Sequence, residues 1–586
     1  PLAWNDVALG RFDGLVAYGI TPWALVILHR SVAVADDRRR FLRSVLGLGV
    51  LEALGAAYAP PTTIVILGLG LVVAAGALVT GAGRPALRPL MVALGATAIT
   101  AVLCLPWLIG VVASGNGGWD VLGLAGAPSA GPTWGALLRF APGPIGGSPL
   151  VWGFAVAAVL ALLVGRDERY RTAVRAWVVV LGSWVAAWVA ARGWSGHLAL
   201  DPAVLLAPAA AALALAVGCS IAAFEVDLRA RVFGWRQLAT ALTALAAGAG
   251  ALPVLASALP GRWDLPQVDL ASAVTWMHPR HGGDADFRVL WLGAPASLNQ
   301  AGWPIMPGLA YATSVGGAPD ATWGWSPGGP GPAGTLGTAV AAAQAGRTDQ
   351  LGALLAGAGV RYVAVVTALA PVVPGIQTPL AEPVPATLEP ALARQVDLRA
   401  AYSQSGITVY ENTSWIPIRS VVPGRRSPVA PVAPGGTIPL SHIPGAPIVT
   451  GAVPALQGTA AARSYSGTVE RGLVLAALAP SGAWGMTTAD GAPVRGEPLP
   501  SGGVQFVAAN PGTVTLAFHG SWLGPAGVAF EIVAWLAALA LLVGRRRLRV
   551  SGLGSAVAGR LATVRAEPVG HVDWDPDLDP DEVAFL

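Results

Sequence analysis

Apolar residues gather in long runs almost free of charge over the first 258 positions and once more near 530, broken by short arginine-bearing stretches. A helix rises about 1.5 Å per residue, so about 20 apolar residues cross a hydrocarbon core about 30 Å thick. Runs of this kind occupy 14–29, 42–58, 60–81, 88–112, 149–164, 174–192, 201–224, 237–258 and 524–544. The first, which contains Pro22, and the fifth are short for a span. Between 259 and 523 the apolar runs shorten and are bounded by Gly and Pro. Phe287–Gly293, Gly359–Val366 and Ile407–Asn412 read as strands, and 336–357 carries helical spacing. That strand–helix–strand order predicts an α/β lobe over 259–414. From 415 to 523 short strands such as Leu473–Leu478, Val504–Ala509 and Thr513–His519 alternate with turns, of which Ala489–Pro493 is one, and predict a β-sandwich-like lobe. The Pro-rich stretches 367–390 and 422–447 read as linkers or long loops. The expected fold is a polytopic α-helical membrane protein with about nine transmembrane helices and an extracytoplasmic α/β plus β-sandwich-like domain.

Charge assigns sides to these spans. If the span 524–544 ends in the cytoplasm, Arg545, Arg546, Arg547 and Arg549 lie inside. Counting back places Arg30, Arg38–Arg40 and Arg43 inside as well. Arg84 and Arg88, then Arg166, Arg169, Arg171 and Arg175, and finally Arg229, Arg231 and Arg236 fall on the same side. The opposite short loops and the N-terminal stretch hold only Arg11, Arg139 and Arg192, as the positive-inside rule requires. The expected arrangement is a plasma-membrane protein with residues 1–258 as the membrane domain. Residues 259–523 are then extracytoplasmic, 524–544 form the last span and 545–586 a cytoplasmic tail. Trp107, Trp152, Trp194, Trp235 and Trp263 fall near predicted span ends.

The composition agrees. The 586 residues are 54% hydrophobic and 12% charged, with mean hydropathy +0.60, against about 25% charged in soluble globules. All 36 basic residues are Arg, in separate clusters rather than along one face, which excludes a nucleic-acid partner. Cys104 and Cys219 sit in apolar runs without metal-ligand spacing, so no metal centre and no disulfide framework is expected. No basic n-region precedes the first apolar run, and the chain begins at Pro1. The expectation is a fragment whose catalytic domain can lie before Pro1. The acidic, Pro-broken Asp573–Glu582 lacks the spacing of a calcium loop and reads as a solvated tail, or as a docking segment for a cytoplasmic partner.

Walker, Rossmann, Ser-His-Asp and HExxH signatures are absent, and no sequence feature names a cofactor. The glycines of Leu67-Gly68-Leu69-Gly70 lie in a span and suit close helix packing. Asp6 and Asp13, on the outer side just before the first span, are candidate catalytic bases for an acceptor hydroxyl; interfacial capping and solvation is the competing reading. Asp120, in the loop 113–148, stands likewise. Asp201 precedes Pro202 and reads as a helix N-cap. Glu52 falls inside a span and is a substrate-site candidate or a hydrogen-bonded packing residue. His278, Arg280, His281, Asp284 and Asp286 form a polar group that reads as a metal or phosphate site or as an ordinary exposed turn, with His278 and Arg280 as candidate substrate contacts. Trp303, Trp323 and Trp325 offer rings to stack on sugars, or a packing patch. The Asn412-Thr413-Ser414 sequon reads as fortuitous in a chain of bacterial composition.

Several segments carry a family resemblance. They are Ala17–Trp23 (AYGITPW), Ala59-Pro60-Pro61, Phe287–Gly293, Gly308–Ser314 (GLAYATS), Gly359–Val366 and Val409–Asn412. In these the chain resembles the C-terminal membrane part of actinobacterial cell-envelope glycosyltransferases. Some of those fuse a cytoplasmic family 2 domain to many spans; others are polytopic type C enzymes such as the arabinofuranosyltransferases. The resemblance covers most of the chain, and none of its segments is catalytic. It implies a lipid-bilayer enzyme of envelope polysaccharide or glycolipid assembly. The donor would be a polyprenyl-phosphate sugar, and the outer lobes would hold the glycan acceptor. A non-catalytic glycan or lipid transporter, or an envelope-assembly scaffold, is the rival reading.

Overall fold

The computed structural model describes residues 2–8, 11–33, 37–113, 132–142, 147–164, 167–192, 200–223, 235–259, 268–277, 286–295, 297–298, 302–318, 332–368, 370–371, 381–404, 406–425, 428, 451–458, 463–478, 483–499, 503–520 and 524–543. Two compact units emerge, Pro1–Glu531 and Ile532–Leu586.

Helices dominate the first 258 residues: α1 (Leu2–Ala8), α2 (Phe12–Ala33), α3 (Arg38–Tyr58), α4 (Thr62–Val79), α5 (Arg88–Leu103), α6 (Leu105–Ala113), α7 (Trp134–Leu138), α8 (Trp152–Val164), α9 (Asp167–Ala191), α10 (Pro202–Ala223) and α11 (Trp235–Ala258). Eight helices among the described residues are long and apolar enough to cross a membrane, the last being Gly524–Val543. The chain is a polytopic membrane protein. Two expected spans differ in detail. The run 88–112 is divided at Cys104 into α5 and α6, because Pro106 follows and cannot supply the N–H that a continuous helix needs there. The fifth run forms only a short apolar helix, Pro149–Leu160 in its qualifying part.

Small residues set the spacing of the bundle. A methyl group on Gly70 of α4 would lie 2.5 Å from Cβ of Ala93 in α5, so the two helices meet backbone to backbone. Gly68, on another face, has open space around it. Gly153 at the start of α8 faces the Ala246 carbonyl of α11, where a methyl would sit 2.1 Å from the oxygen. On the other side of α8, the Trp177 indole N–H donates to the Ala158 carbonyl (2.9 Å), pinning α8 antiparallel to α9. Leu28, Leu48, Ile66, Val92, Val180 and Leu206 fill the interior between these contacts.

Beyond residue 286 a six-stranded mixed sheet forms, in order β2-β3-β1-β4-β6-β5. Its strands are β1 (Arg288–Gly293), β2 (Trp303–Met306), β3 (Leu309–Val315), β4 (Val360–Val366), β5 (Leu398–Gln404) and β6 (Ile407–Asn412). Central strands β1 and β4 are parallel, and every other neighbouring pair is antiparallel. The β3–β4 connection carries α12 (Pro332–Gln344) and α13 (Leu351–Ala356), and α14 (Leu388–Ala393) precedes β5. The expected single helix 336–357 is two, because Gly346 turns the chain with φ +67°. Alternation along β1 sends Leu290 and Leu292 to the helix-covered face and Val289 and Trp291 to the other. Strands β2, β3 and β5 were not legible as strands.

Two further sheets follow, β13-β14-β10-β7-β8 and β12-β11-β15-β9. They are built from β7 (Arg419–Pro423), β8 (Val453–Pro454), β9 (Ser464–Val469), β10 (Gly472–Ala476), β11 (Trp484–Thr487), β12 (Pro493–Arg495), β13 (Glu497–Pro498), β14 (Val504–Ala508) and β15 (Gly512–Phe518). Val474 and Phe506 from one sheet meet Met486 and Leu516 from the other, which makes a sandwich. Val422, Leu473 and Leu475, on the outer side of the first sheet, pack with Ala356 of the α/β lobe. Strand β10 is therefore buried on both faces, which explains its unbroken apolar run. Arg419, 7% exposed, joins the lobes: it forms an ion pair with Asp286, donates to the Gly458 carbonyl (2.7 Å) and lies over the Tyr465 ring.

Candidate functional site

Three acidic side chains and one arginine meet at one end of the helical bundle. The Arg11 N–H, just before α2, donates to the Asp6 carbonyl of α1 (2.7 Å). That bond ties α1 to the first turn of α2, where position 14 is glycine. A methyl there would sit 2.5 Å from the Asp6 carboxyl carbon, so only glycine lets this carboxyl reach its seat. Asp6 is fully buried beside Asn5, also fully buried. Neither Asp6 oxygen has a hydrogen-bond partner among the described residues. Asp13, half-buried in the first turn of α2, accepts from the N–H of that same Gly14 (2.9 Å).

The fourth member arrives from far along the chain. Asp201 caps α10, accepting from the Ala203 N–H (2.8 Å), as its position before Pro202 predicted. Its other oxygen pairs with Nη1 of Arg11 at 2.5 Å.

Electrostatics single out Asp6. Burial, then repulsion from Asp201 and Asp13, raises its carboxyl from 3.8 to about 8, against an opposing pull from Arg11. Arg11 is held more firmly protonated than an ordinary arginine: burial opposes its charge, and the Asp201, Asp13, Asp6 and Glu382 carboxylates outweigh that. Glu382 belongs to the α/β lobe, where its N–H donates to the Thr367 carbonyl (2.9 Å), so that lobe reaches the field of the site. Trp107 of α6, expected in an aromatic belt, packs against the helix-side core of the same lobe. A carboxyl that stays largely protonated at neutral pH, beside carboxylates held by Arg11 and by backbone N–H groups, is an arrangement for taking up and releasing protons.

The remaining predicted residues lie elsewhere. Glu52 is fully buried in α3 and accepts from the Thr97 hydroxyl of α5 (2.9 Å). Gly55 of α3 packs on Ile20 of α2. Counting helical rise from that contact separates Glu52 from Asp13 by about 15 Å along the bundle. Glu52 thus joins two helices and is no part of the Asp6 cluster. Trp303 is buried in the α/β core with Leu309 and Tyr311, leaving no open ring face for a sugar. Asp120, His278, Arg280, His281, Asp284, Trp323 and Trp325 lie outside the described residues. No group of three metal-ligating side chains occurs among the described residues. The Arg11–Asp201 pair was missed because its members stand 190 positions apart, and capping alone accounted for Asp201 in the sequence.

Compared with known proteins, this chain matches no family model, no curated protein and no solved structure.

Proposed function

We propose that the chain is a membrane-embedded glycosyltransferase, or the membrane module of one, working at the extracytoplasmic face on a polyprenyl-phosphate sugar. The observation that carries the reading is Asp6: a buried carboxyl without a hydrogen-bond partner among the described residues, set on Gly14, whose N–H holds Asp13, with Arg11 alongside. Asp13, the more exposed carboxylate, takes the proton of the acceptor hydroxyl. The freed oxygen attacks the anomeric carbon, and the bond from that carbon to the phosphate oxygen breaks with its electron pair leaving on the phosphate. N–H groups of Arg11 not engaged by Asp201 meet the growing negative charge. Asp6, which already holds a proton at neutral pH, gives that proton up for the phosphate product and then takes over the one held by Asp13.

Topology supports the sidedness. The Arg11–Asp201 pair brings the starts of α2 and α10 to one end of the bundle. An even number of crossings must separate them. Among the described residues spans α2, α3, α4, α5 with α6, and α9 make five, and the short apolar helix α8 is the element that supplies a sixth. With that ninth crossing counted, the Asp6 cluster falls on the side opposite the arginine clusters, as the positive-inside rule asks.

The test is transfer of radiolabelled sugar from a polyprenyl-phosphate donor by membranes carrying Asp6→Asn or Asp13→Asn. Each substitution is expected to lower the rate by about 10²-fold or more. Wild-type rates in both variants would overturn the assignment and leave the scaffold reading in its place.

A further inference from the structure

On the face of the six-stranded sheet away from its helices, two irregularities re-aim side chains. Arg288 pairs with Val360 while Val289 pairs with Tyr362, which leaves Arg361 as an extra residue in β4. Ala400 pairs with Tyr410 while Tyr402 pairs with Val409, which leaves Ala401 extra in β5. A bulge of this kind breaks the two-residue alternation and turns a side chain that would have faced the other way. Arg361 consequently lies over three rings, 5.4 Å from the centre of Phe287, 5.2 Å from Tyr362 and 4.8 Å from Trp415. Tyr402 joins the same face.

The result is a row of five rings. Tyr402 meets Trp276 at 5.8 Å, Trp276 meets Tyr362 at 5.4 Å, Tyr362 meets Phe287 at 5.3 Å and Phe287 meets Trp415 at 6.4 Å. Phe287 and Tyr362 are core residues, whereas Tyr402, Trp276 and Trp415 are half-buried. A charged stripe borders the row. Glu411, opposite Tyr362 in the sheet, is shared by Arg361 (3.6 Å) and by Arg399 (2.6 Å), and Arg399 is 72% exposed. Core packing accounts for the two inner rings. It does not require half-buried rings at both ends of the row, or a guanidinium held over three of them and still reached by solvent.

We infer that this patch binds a neutral oligosaccharide. A sugar ring has an apolar C–H face and a rim of hydroxyls. The rings meet the face, and the Arg361–Glu411–Arg399 stripe supplies both donors and acceptors for the rim. An acyl chain would leave the stripe unused. A second anion would compete with Glu411, which already engages both guanidinium groups. The inference rests on the glycosyltransferase reading only for its substrate class, and it puts the glycan contact on Trp276, Tyr402 and Trp415 rather than on Trp303.

The test uses the full chain in lipid nanodiscs, titrated by calorimetry with neutral hexasaccharides: maltohexaose, cellohexaose, and linear arabinose and galactose hexamers. At least one is expected to saturate. Trp415→Ala should weaken it at least 10-fold, Trp415→Phe, which keeps a ring, only slightly, and Arg399→Ala several-fold with an unchanged melting temperature. The inference is overturned if no hexasaccharide saturates at millimolar concentration. Unaltered affinity in Arg399→Ala and in whichever Trp415 variant folds would do the same. Binding, not transfer, is read, so failure here and failure of the Asp6 assignment are told apart.

Discussion

Replacing Asp6 by Asn tests the physics of the cluster separately from its chemistry. The side chains have the same shape, and the amide cannot ionise. In the folded chain the Asp6 carboxyl titrates at about 8 instead of 3.8, chiefly through burial. Each unit corresponds to about 1.36 kcal/mol, so holding this group protonated at pH 7 costs the folded state about 4 kcal/mol relative to a chain in which it ionises freely. The sign follows from proton counts. Between pH 4 and pH 8 the folded chain binds more protons at this site than the unfolded chain, so wild-type stability falls as pH rises through that window and levels off above it. Asp6→Asn removes that dependence. Melting temperatures in detergent, taken by scanning fluorimetry from pH 4.5 to 9, are expected to nearly coincide at the acid end. They should separate steadily upward, the variant finishing several degrees above wild type while sugar transfer is lost. A variant less stable than wild type at pH 8.5, or a difference that does not change with pH, would refute the burial argument.

Other expectations follow from packing and capping. Gly14→Ala puts a methyl 2.5 Å from the Asp6 carboxyl carbon. It should cost about 1–3 kcal/mol and abolish transfer without removing any reactive group, and normal melting with normal transfer would show that Asp6 is not seated there. Gly153→Ala, 2.1 Å from the Ala246 carbonyl oxygen, should part α8 from α11 at a similar cost of about 1–3 kcal/mol, read as a lowered melting temperature. Asp201→Asn keeps an acceptor for the Ala203 N–H whereas Asp201→Ala does not. Denaturation should therefore find the Ala variant about 1 kcal/mol less stable than the Asn variant, and equal stabilities would remove the capping role.

Hydrophobic periodicity was enough to find the bundle, because a bilayer requires long apolar runs whatever they pack against. It also found β1, β4, β6, β10, β14 and β15, whose apolar runs are dense and bounded by turns. It failed for β2, where Trp303-Pro304 reads as a loop, and for β5, where the bulge at Ala401 disrupts the alternation. The division at Pro106 was there to be read, and the length of the apolar run hid it. Gly70 fulfilled the packing role expected of it and Gly68 did not, since facing a neighbour depends on helix rotation.

Residue type and local spacing by themselves determined membrane insertion, the two kinds of lobe that follow, the capping role of Asp201 and the candidacy of Asp6 and Asp13. Which carboxylates stand together was decided only by the tertiary structure. Arg11 meets Asp201 because α2 and α10 start at the same end of the bundle, and Asp6 is buried because Gly14 leaves room for it. Glu52 was separated from them, and Trp303 withdrawn into the core, by the same packing. Local propensity acts over a few residues, whereas burial and charge pairing depend on three-dimensional neighbours that the order of the chain does not name.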